Sequence, residues 1–70
     1  MFFYTKHSVE KMDALGISKQ EVQNTVLKGM KWKQQQSDKW HAQMAGIEVV
    51  FMKNEEMFVI ITTYLAGREK

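Results

Sequence analysis

A run of nine residues near the C-terminus, residues 57–65, constrains the fold of this chain more than any other segment. The run carries no charge, and β-branched or aromatic side chains occupy most of it. A continuous apolar run of this length is typical of a strand that is buried on both faces at the centre of a sheet. The rest of the chain must therefore provide the neighbouring strands.

Three segments upstream of this run predict further strands, and turn signals separate them. The segments are residues 30–36, 40–44 and 47–53, and the turns are Ser37-Asp38, Ala45-Gly46 and Asn54-Glu55-Glu56. In residues 40–44, apolar and polar side chains alternate with a period of two, which indicates one buried and one exposed face. On this pattern His41 points away from the face of Trp40. We expect residues 67–70 to form a frayed tail.

The N-terminal part of the chain predicts a short helix after an extended start, residues 1–4. Thr5 has the properties of an N-cap, since its hydroxyl can accept an amide proton from the first turn. The helix runs to about Leu15, and Gly16 ends it in a left-handed conformation. The inward stripe consists of Val9, Met12 and Leu15.

A second helix follows, and its start is a capping box formed by Ser18 and Glu21. Gly29 ends this helix. Two helices that precede an antiparallel meander predict an α+β domain. We expect both helices to pack on one face of a four-stranded antiparallel sheet, with residues 1–4 as a short extra strand.

The size and composition of the chain set further limits. Seventy residues form one domain, residues 1–70, that buries only about 60% of its unfolded surface. Many domains of this size gain stability from a partner or from self-association, so a homodimer is one expectation. The chain has no cysteine, which excludes disulfides and thiolate metal sites. It shows neither a signal-peptide pattern nor a membrane-length apolar run. We therefore expect a cytoplasmic domain without membrane contact.

The net charge of +2 is small, but the lysines are unevenly distributed. Between residues 28 and 39 the chain has four lysines and one acid, with Trp32 inside this stretch and Trp40 beside it. A basic band with interleaved aromatic residues can bind phosphates and stack on bases. A solvated strand pair whose tryptophans belong to the core explains the same pattern, so both interpretations stay open.

His7 and His41 are the side chains that titrate near neutral pH. His7 lies in the first turn of a helix, where free backbone amides favour an anion. Lys11 follows one turn later on the same helix face. A histidine beside a phosphate site can serve as a general acid or base. A surface histidine beside a solvated lysine fits the same spacing, and His41 can equally be a solvent-facing strand residue.

The residues that begin and end this chain resemble a known group of domains. Residues 5–12 are similar to a motif at the start of many small prokaryotic domains of unassigned function. In this motif an arginine lies four residues after a histidine, and a methionine follows the arginine. Segments like residues 15–18 and Glu21-Val22 come next, and an apolar strand ending like residues 61–64 closes these domains. The resemblance covers residues 4–65.

This group resembles barnase, RelE and the colicin tRNases, which are metal-independent ribonucleases and toxins. The resemblance implies two helices on a four-stranded antiparallel sheet. It also implies RNA cleavage in which the 2′-hydroxyl attacks the adjacent phosphate and leaves a 2′,3′-cyclic phosphate. It implies no metal and no cofactor, RNA as the substrate, and a cognate antitoxin or another protein as a partner.

Carried over to this chain, the resemblance assigns His7 as the acid or base and Lys11 as the phosphate clamp. It assigns Thr62 and Tyr64 as phosphate contacts on the sheet. The candidates are thus His7, Lys11 and Tyr64 for catalysis and Thr62, Lys33, His41 and Trp32 for substrate binding.

Two positions depart from the pattern, because Lys11 stands where arginine is usual and Leu15 where a second arginine is frequent. Lysine keeps the charge but loses the bidentate fork that suits phosphate. A non-catalytic RNA- or protein-binding module on the same scaffold is therefore the alternative interpretation.

Overall fold

The computed structural model describes residues 1–66, in which one strand is followed by two helices and then by four further strands. The elements are β1 (Phe2–Tyr4), α1 (Lys6–Leu15), α2 (Lys19–Lys28), β2 (Met30–Lys33), β3 (Trp40–Met44), β4 (Ile47–Asn54) and β5 (Met57–Leu65). The α+β class is confirmed. The tail predicted for residues 67–70 lies outside the described residues, and no helix within residues 1–66 is long and apolar enough to cross a bilayer.

The five strands form one sheet in the order β1-β5-β4-β3-β2. The short extra strand predicted at residues 1–4 is present as β1, but the prediction of a four-stranded antiparallel sheet was wrong, because β1 pairs with β5 in parallel and makes a five-stranded mixed sheet. This pairing aligns Phe2 with Phe58 and Tyr4 with Ile60. The other neighbouring pairs are antiparallel. β5 therefore lies inside the sheet, between β1 and β4, as its apolar run predicts.

The predicted helix boundaries are confirmed by their caps. Thr5 Oγ1 accepts a hydrogen bond from the amide of Ser8 at 3.1 Å, and Gly16 ends α1 with a φ of 70°. At the start of α2, the Ser18 hydroxyl accepts the amide proton of Glu21 at 3.1 Å. The Glu21 carboxylate accepts the amide proton of Ser18 at 2.9 Å. These bonds satisfy amides that otherwise lack partners in the first turn.

The core lies between the helices and one face of the sheet, which we call the helix face. Its buried side chains form one cluster: Met12, Ile17, Val22, Val26, Ala42, Ile47, Val49, Phe51 and Ile60. Val9 was predicted to face inward but is 43% exposed, and the buried residues of α1 are Ser8 and Met12. The first strand predicted over residues 30–36 is shorter, since β2 ends at Lys33.

A bulge in β5 changes which residues face the core. Val50 pairs with Thr62 and Phe51 pairs with Ile60, so Ile61 is an extra residue without a partner in β4. Because side chains alternate along a strand, one extra residue moves those that follow to opposite faces. Thr63 therefore joins Ile60 on the helix face, whereas Thr62 lies on the other side, which we call the outer face.

Candidate functional site

Several of the site residues predicted from the sequence lie close together on the outer face. The strand register aligns Trp32 with His41, His41 with Val50, and Val50 with Thr62. Residues directly opposite each other in antiparallel strands project from the same face. Trp32, His41 and Thr62 therefore belong to one row across four strands.

His41 is held on three sides. Its Nδ1 donates a hydrogen bond to Oε2 of Glu48 at 2.7 Å, and its Nε2 lies 3.1 Å from Oε1 of Gln34. The indole of Trp32 stacks on the imidazole, with a centroid distance of 5.3 Å and an interplanar angle of 8°. The side chains of His41 and Glu48 are 18% and 21% exposed, so water screens this contact only in part. The imidazole thus has a fixed orientation.

The hydrogen bond to Glu48 has a chemical consequence for His41. A carboxylate can only accept, so Nδ1 carries the proton in this geometry. Oε1 of Gln34 beside Nε2 also only accepts, so a neutral His41 with its proton on Nδ1 requires the Gln34 amide to turn its NH2 group toward Nε2. Nε2 is then an acceptor, and a hydroxyl that displaces Gln34 can give it a proton.

Lys11 and Tyr64 extend this site toward α1. The Lys11 ammonium lies 5.7 Å from the centroid of the Tyr64 ring, which is within cation–π range. Tyr64 pairs with Glu48 in the sheet register and is 45% exposed. Tyr64, Glu48 and His41 therefore follow one another across the outer face, and Lys11 reaches the Tyr64 ring from α1, whose buried side chains pack on the helix face. We call Lys11, Tyr64, Glu48 and His41, with Trp32 and Thr62, the outer-face site.

Thr62 adds to this face a hydroxyl group that makes no hydrogen bond within the described residues. Its side chain is only 7% exposed, and Oγ1 has no hydrogen-bond partner among the described residues. Buried hydroxyl groups in folded proteins nearly always have a partner. Thr62 Oγ1 is therefore a buried hydroxyl with unused hydrogen-bonding capacity beside this row.

Two predicted site residues lie elsewhere. Lys33 pairs with Trp40, whose ring packs against the core cluster, so Lys33 lies on the helix face. His7 is exposed in the first turn of α1, and Lys11 follows it one turn later as predicted. Among residues 1–66, the hydrogen bonds of histidine side chains are those of His41. Lys11 thus lies beside Tyr64, and Trp32 lies beside His41. Among residues 1–66, no hydrogen bond holds the side chain of His7 in place.

Glu48 and Gln34 were not among the residues predicted from the sequence, although a signal for Glu48 was present. Ala45 and Gly46 both have positive φ angles, 54° and 81°, which define a two-residue hairpin turn. A turn of this length fixes the register of β3 and β4, and this register places Glu48 diagonally across from His41 on the same face. No comparable signal exists for Gln34, which lies in a loop.

Comparison with protein families finds a match over residues 4–65 to a family described as Domain of unknown function (DUF4258). The chain belongs to the DUF4258 family. No curated protein and no solved structure matches the chain. Every residue of the outer-face site lies within the DUF4258 match. The description of the family assigns no activity, so the function must be argued from the site itself.

Proposed function

We propose that this DUF4258 domain is a metal-independent endoribonuclease that cleaves RNA on its outer face. The observation that carries the proposal is the His41–Glu48 contact of 2.7 Å beneath the ring of Trp32. A histidine that is oriented by a carboxylate and stacked on an exposed aromatic ring combines an acid–base group with a platform for a nucleobase.

The proposed reaction is the transesterification that the resemblance to RelE-type ribonucleases implies. Nε2 of His41 accepts the proton of the 2′-hydroxyl, and the 2′-oxygen attacks the adjacent phosphorus. The bond from phosphorus to the 5′-oxygen breaks, which leaves a 2′,3′-cyclic phosphate and a 5′-hydroxyl end. The Tyr64 hydroxyl donates the proton that the leaving 5′-oxygen takes up, and Glu48 stabilises the imidazolium that forms at His41.

Lys11 supplies positive charge to the phosphate during this reaction. The negative charge on the phosphate oxygens grows as the 2′-oxygen attacks, so a nearby ammonium stabilises the transition state more than the substrate. The contact of Lys11 with the Tyr64 ring supports this role, because it holds the ammonium beside the proposed proton donor. The resemblance also assigns a phosphate contact to Thr62, whose buried hydroxyl becomes a donor to a phosphate oxygen when RNA binding exposes it.

The proposal gives His41 the acid–base role that the resemblance gave to His7. His41 has a carboxylate partner and a stacked ring, whereas His7 is exposed on α1. The two assignments make different predictions. If His41 is the base, His41→Ala abolishes cleavage and His7→Ala lowers it only modestly; the reverse pattern supports His7.

The test is cleavage of an RNA oligonucleotide by the purified chain in EDTA, with detection of the 2′,3′-cyclic phosphate. We expect cleavage by the wild type and a loss of about a hundredfold or more in His41→Ala. Glu48→Gln should lower the rate because it weakens the stabilisation of the imidazolium. Lys28→Gln, which removes an exposed lysine outside the site, serves as the charge control. A 2′-deoxy nucleotide at the cleaved position should block the reaction.

A binding module without catalysis is the second candidate, and the exposure of Trp32 favours it. Trp32 is 38% exposed on an edge strand, so a base can stack on it whether or not cleavage follows. In the variant Trp40→Phe, Trp32 is the sole tryptophan and reports on the outer face. Salt-dependent quenching of Trp32 by RNA without any cleavage would replace the first proposal with this one. No cleavage and no quenching would refute both.

A further inference from the structure

A second concave surface lies on the helix face, at the end of α2. Its apolar walls are Val26, Leu27, Trp40, Phe51 and Phe58, and the groove has a volume of about 290 Å³. Val26 and Phe51 belong to the buried core cluster, and Trp40 and Phe58 pack against it. Leu27 is 56% exposed. Val26 and Phe51 are only 1% and 2% exposed, so they form a closed floor, and the accessible apolar surface of the groove comes from Leu27, Trp40 and Phe58. Exposed apolar surfaces that are contiguous mark contact sites.

Two lysines line the same groove, and hydrogen bonds to the backbone hold both of them. Lys31 Nζ donates to the carbonyl oxygens of Gly29 at 3.1 Å and Leu27 at 3.5 Å. Lys53 Nζ donates to the carbonyl oxygen of Glu55 at 2.8 Å and lies 5.7 Å from the centroid of the Phe58 ring.

These lysines keep hydrogen-bonding capacity for a ligand. An ammonium group has three donors, so each lysine retains at least one. Among residues 1–66, neither ammonium lies within ion-pair distance of a carboxylate, and the ion pair formed there is His41–Glu48. The groove thus combines an apolar floor with two positive charges that have no acidic partner in the described part of the chain.

We propose that this groove binds a short acidic and amphipathic segment of a protein partner. Apolar side chains of the segment fill the groove against Trp40 and Phe51, and its carboxylates pair with Lys31 and Lys53. An apolar face flanked by charge is the pattern by which grooves recognise amphipathic peptides.

The size and lining of the groove favour this occupant over others. Pockets for small molecules usually have volumes of about 300–1,000 Å³ and enclose most of the ligand. A groove of about 290 Å³ that is open to solvent fits a few side chains of a longer segment better. Nucleic acid fits less well, because five of the seven lining residues are apolar and only Lys31 and Lys53 can pair with its phosphates. The groove and the outer-face site lie on opposite faces of the sheet, so this proposal does not depend on RNA cleavage.

Because one tryptophan lies on each face of the sheet, binding to the groove can be measured separately from binding to the outer-face site. In the variant Trp32→Phe, Trp40 is the sole tryptophan and reports on the groove. A phage-displayed library of short random peptides is selected on the immobilised chain, and enriched peptides are synthesised and titrated while Trp40 emission is recorded. We expect the enriched peptides to contain both apolar and carboxylate side chains.

Matched variants locate the binding site. Leu27→Gln should weaken binding about tenfold or more, as expected for an apolar anchor, whereas Met30→Gln on the outer face should not. Lys53→Gln should weaken it roughly threefold, whereas Lys28→Gln, with the same change of charge, should not. No enrichment, enriched peptides without carboxylates, or equal affinities for groove and control variants would overturn the proposal. A dimer that Leu27→Gln dissociates would also overturn it, because the occupant is then a second copy of the chain.

Discussion

The buried hydroxyl of Thr63 gives a direct test of how the core is packed. Thr63 is 0% exposed on the helix face, and its Oγ1 has no hydrogen-bond partner among the described residues. A buried polar group that is left unsatisfied costs about 1–3 kcal/mol. Thr63→Val replaces the hydroxyl with a methyl group of nearly the same size. We therefore expect the free energy of unfolding to rise by about 1–2 kcal/mol.

The change can be measured by urea denaturation and by thermal melting, both followed by circular dichroism. For a domain of this size, 1 kcal/mol corresponds to a shift in Tm of about 4–8 °C. Thr25→Val is the matched control, because Thr25 is also buried but its Oγ1 donates to the carbonyl oxygen of Glu21 at 2.8 Å. This control removes a hydrogen bond that the folded protein makes, so its free energy of unfolding should fall by about 1 kcal/mol.

The variant Thr62→Val tests whether the Thr62 hydroxyl contributes to RNA binding rather than to the stability of the fold. Thr62 is buried and unsatisfied like Thr63, but it belongs to the outer-face site. We expect this variant to gain stability and to lose affinity for RNA, whereas Thr63→Val gains stability with unchanged affinity. A Thr63→Val variant with a lower or unchanged urea midpoint would refute the reasoning, because the hydroxyl would then have a partner that makes its burial favourable.

Three further substitutions test the backbone, the helix cap and the phosphate contact. Gly29→Ala should lower the free energy of unfolding by about 3 kcal/mol, because the new Cβ would lie 2.7 Å from the carbonyl oxygen of Gln43; a urea midpoint equal to that of the wild type would contradict this. Ser18→Ala should cost about 1 kcal/mol in the same assay, because it removes the capping box of α2. Lys11→Arg should raise the rate of RNA cleavage, because guanidinium binds phosphate through two parallel hydrogen bonds, and an unchanged rate would place Lys11 outside the phosphate contact.

Local features of this fold were predictable because they depend on neighbouring residues. Thr5 and Ser18 cap the two helices as expected, since capping needs only the residues of one turn. The Ala45-Gly46 turn is also local, and the strands on both sides of it were located correctly. In residues 57–65, the apolar run was sufficient to predict a strand inside the sheet.

Non-local features were not predictable from these signals. The parallel pairing of β1 with β5 joins residues more than 50 positions apart, and three apolar or aromatic residues at a terminus give no indication of their partner. The bulge at Ile61 could not be predicted from the sequence either. Regular alternation along a strand would place Ile60 and Thr63 on opposite faces of the sheet, whereas the bulge places them on the same face. His41 was recognised as a candidate, but its contact with Glu48 depends on this three-dimensional register.

Several features that cost stability meet on the outer face, and this distribution favours a functional role for it. The bulge at Ile61 interrupts the ladder between β4 and β5, and the next residue, Thr62, buries a hydroxyl without a partner. Beside it, a histidine and a carboxylate are held partly out of water. A chain under selection for stability alone would replace these groups with apolar side chains. In the proposed reaction, these groups supply an oriented base, while Lys11 supplies a cation and Trp32 a surface for stacking.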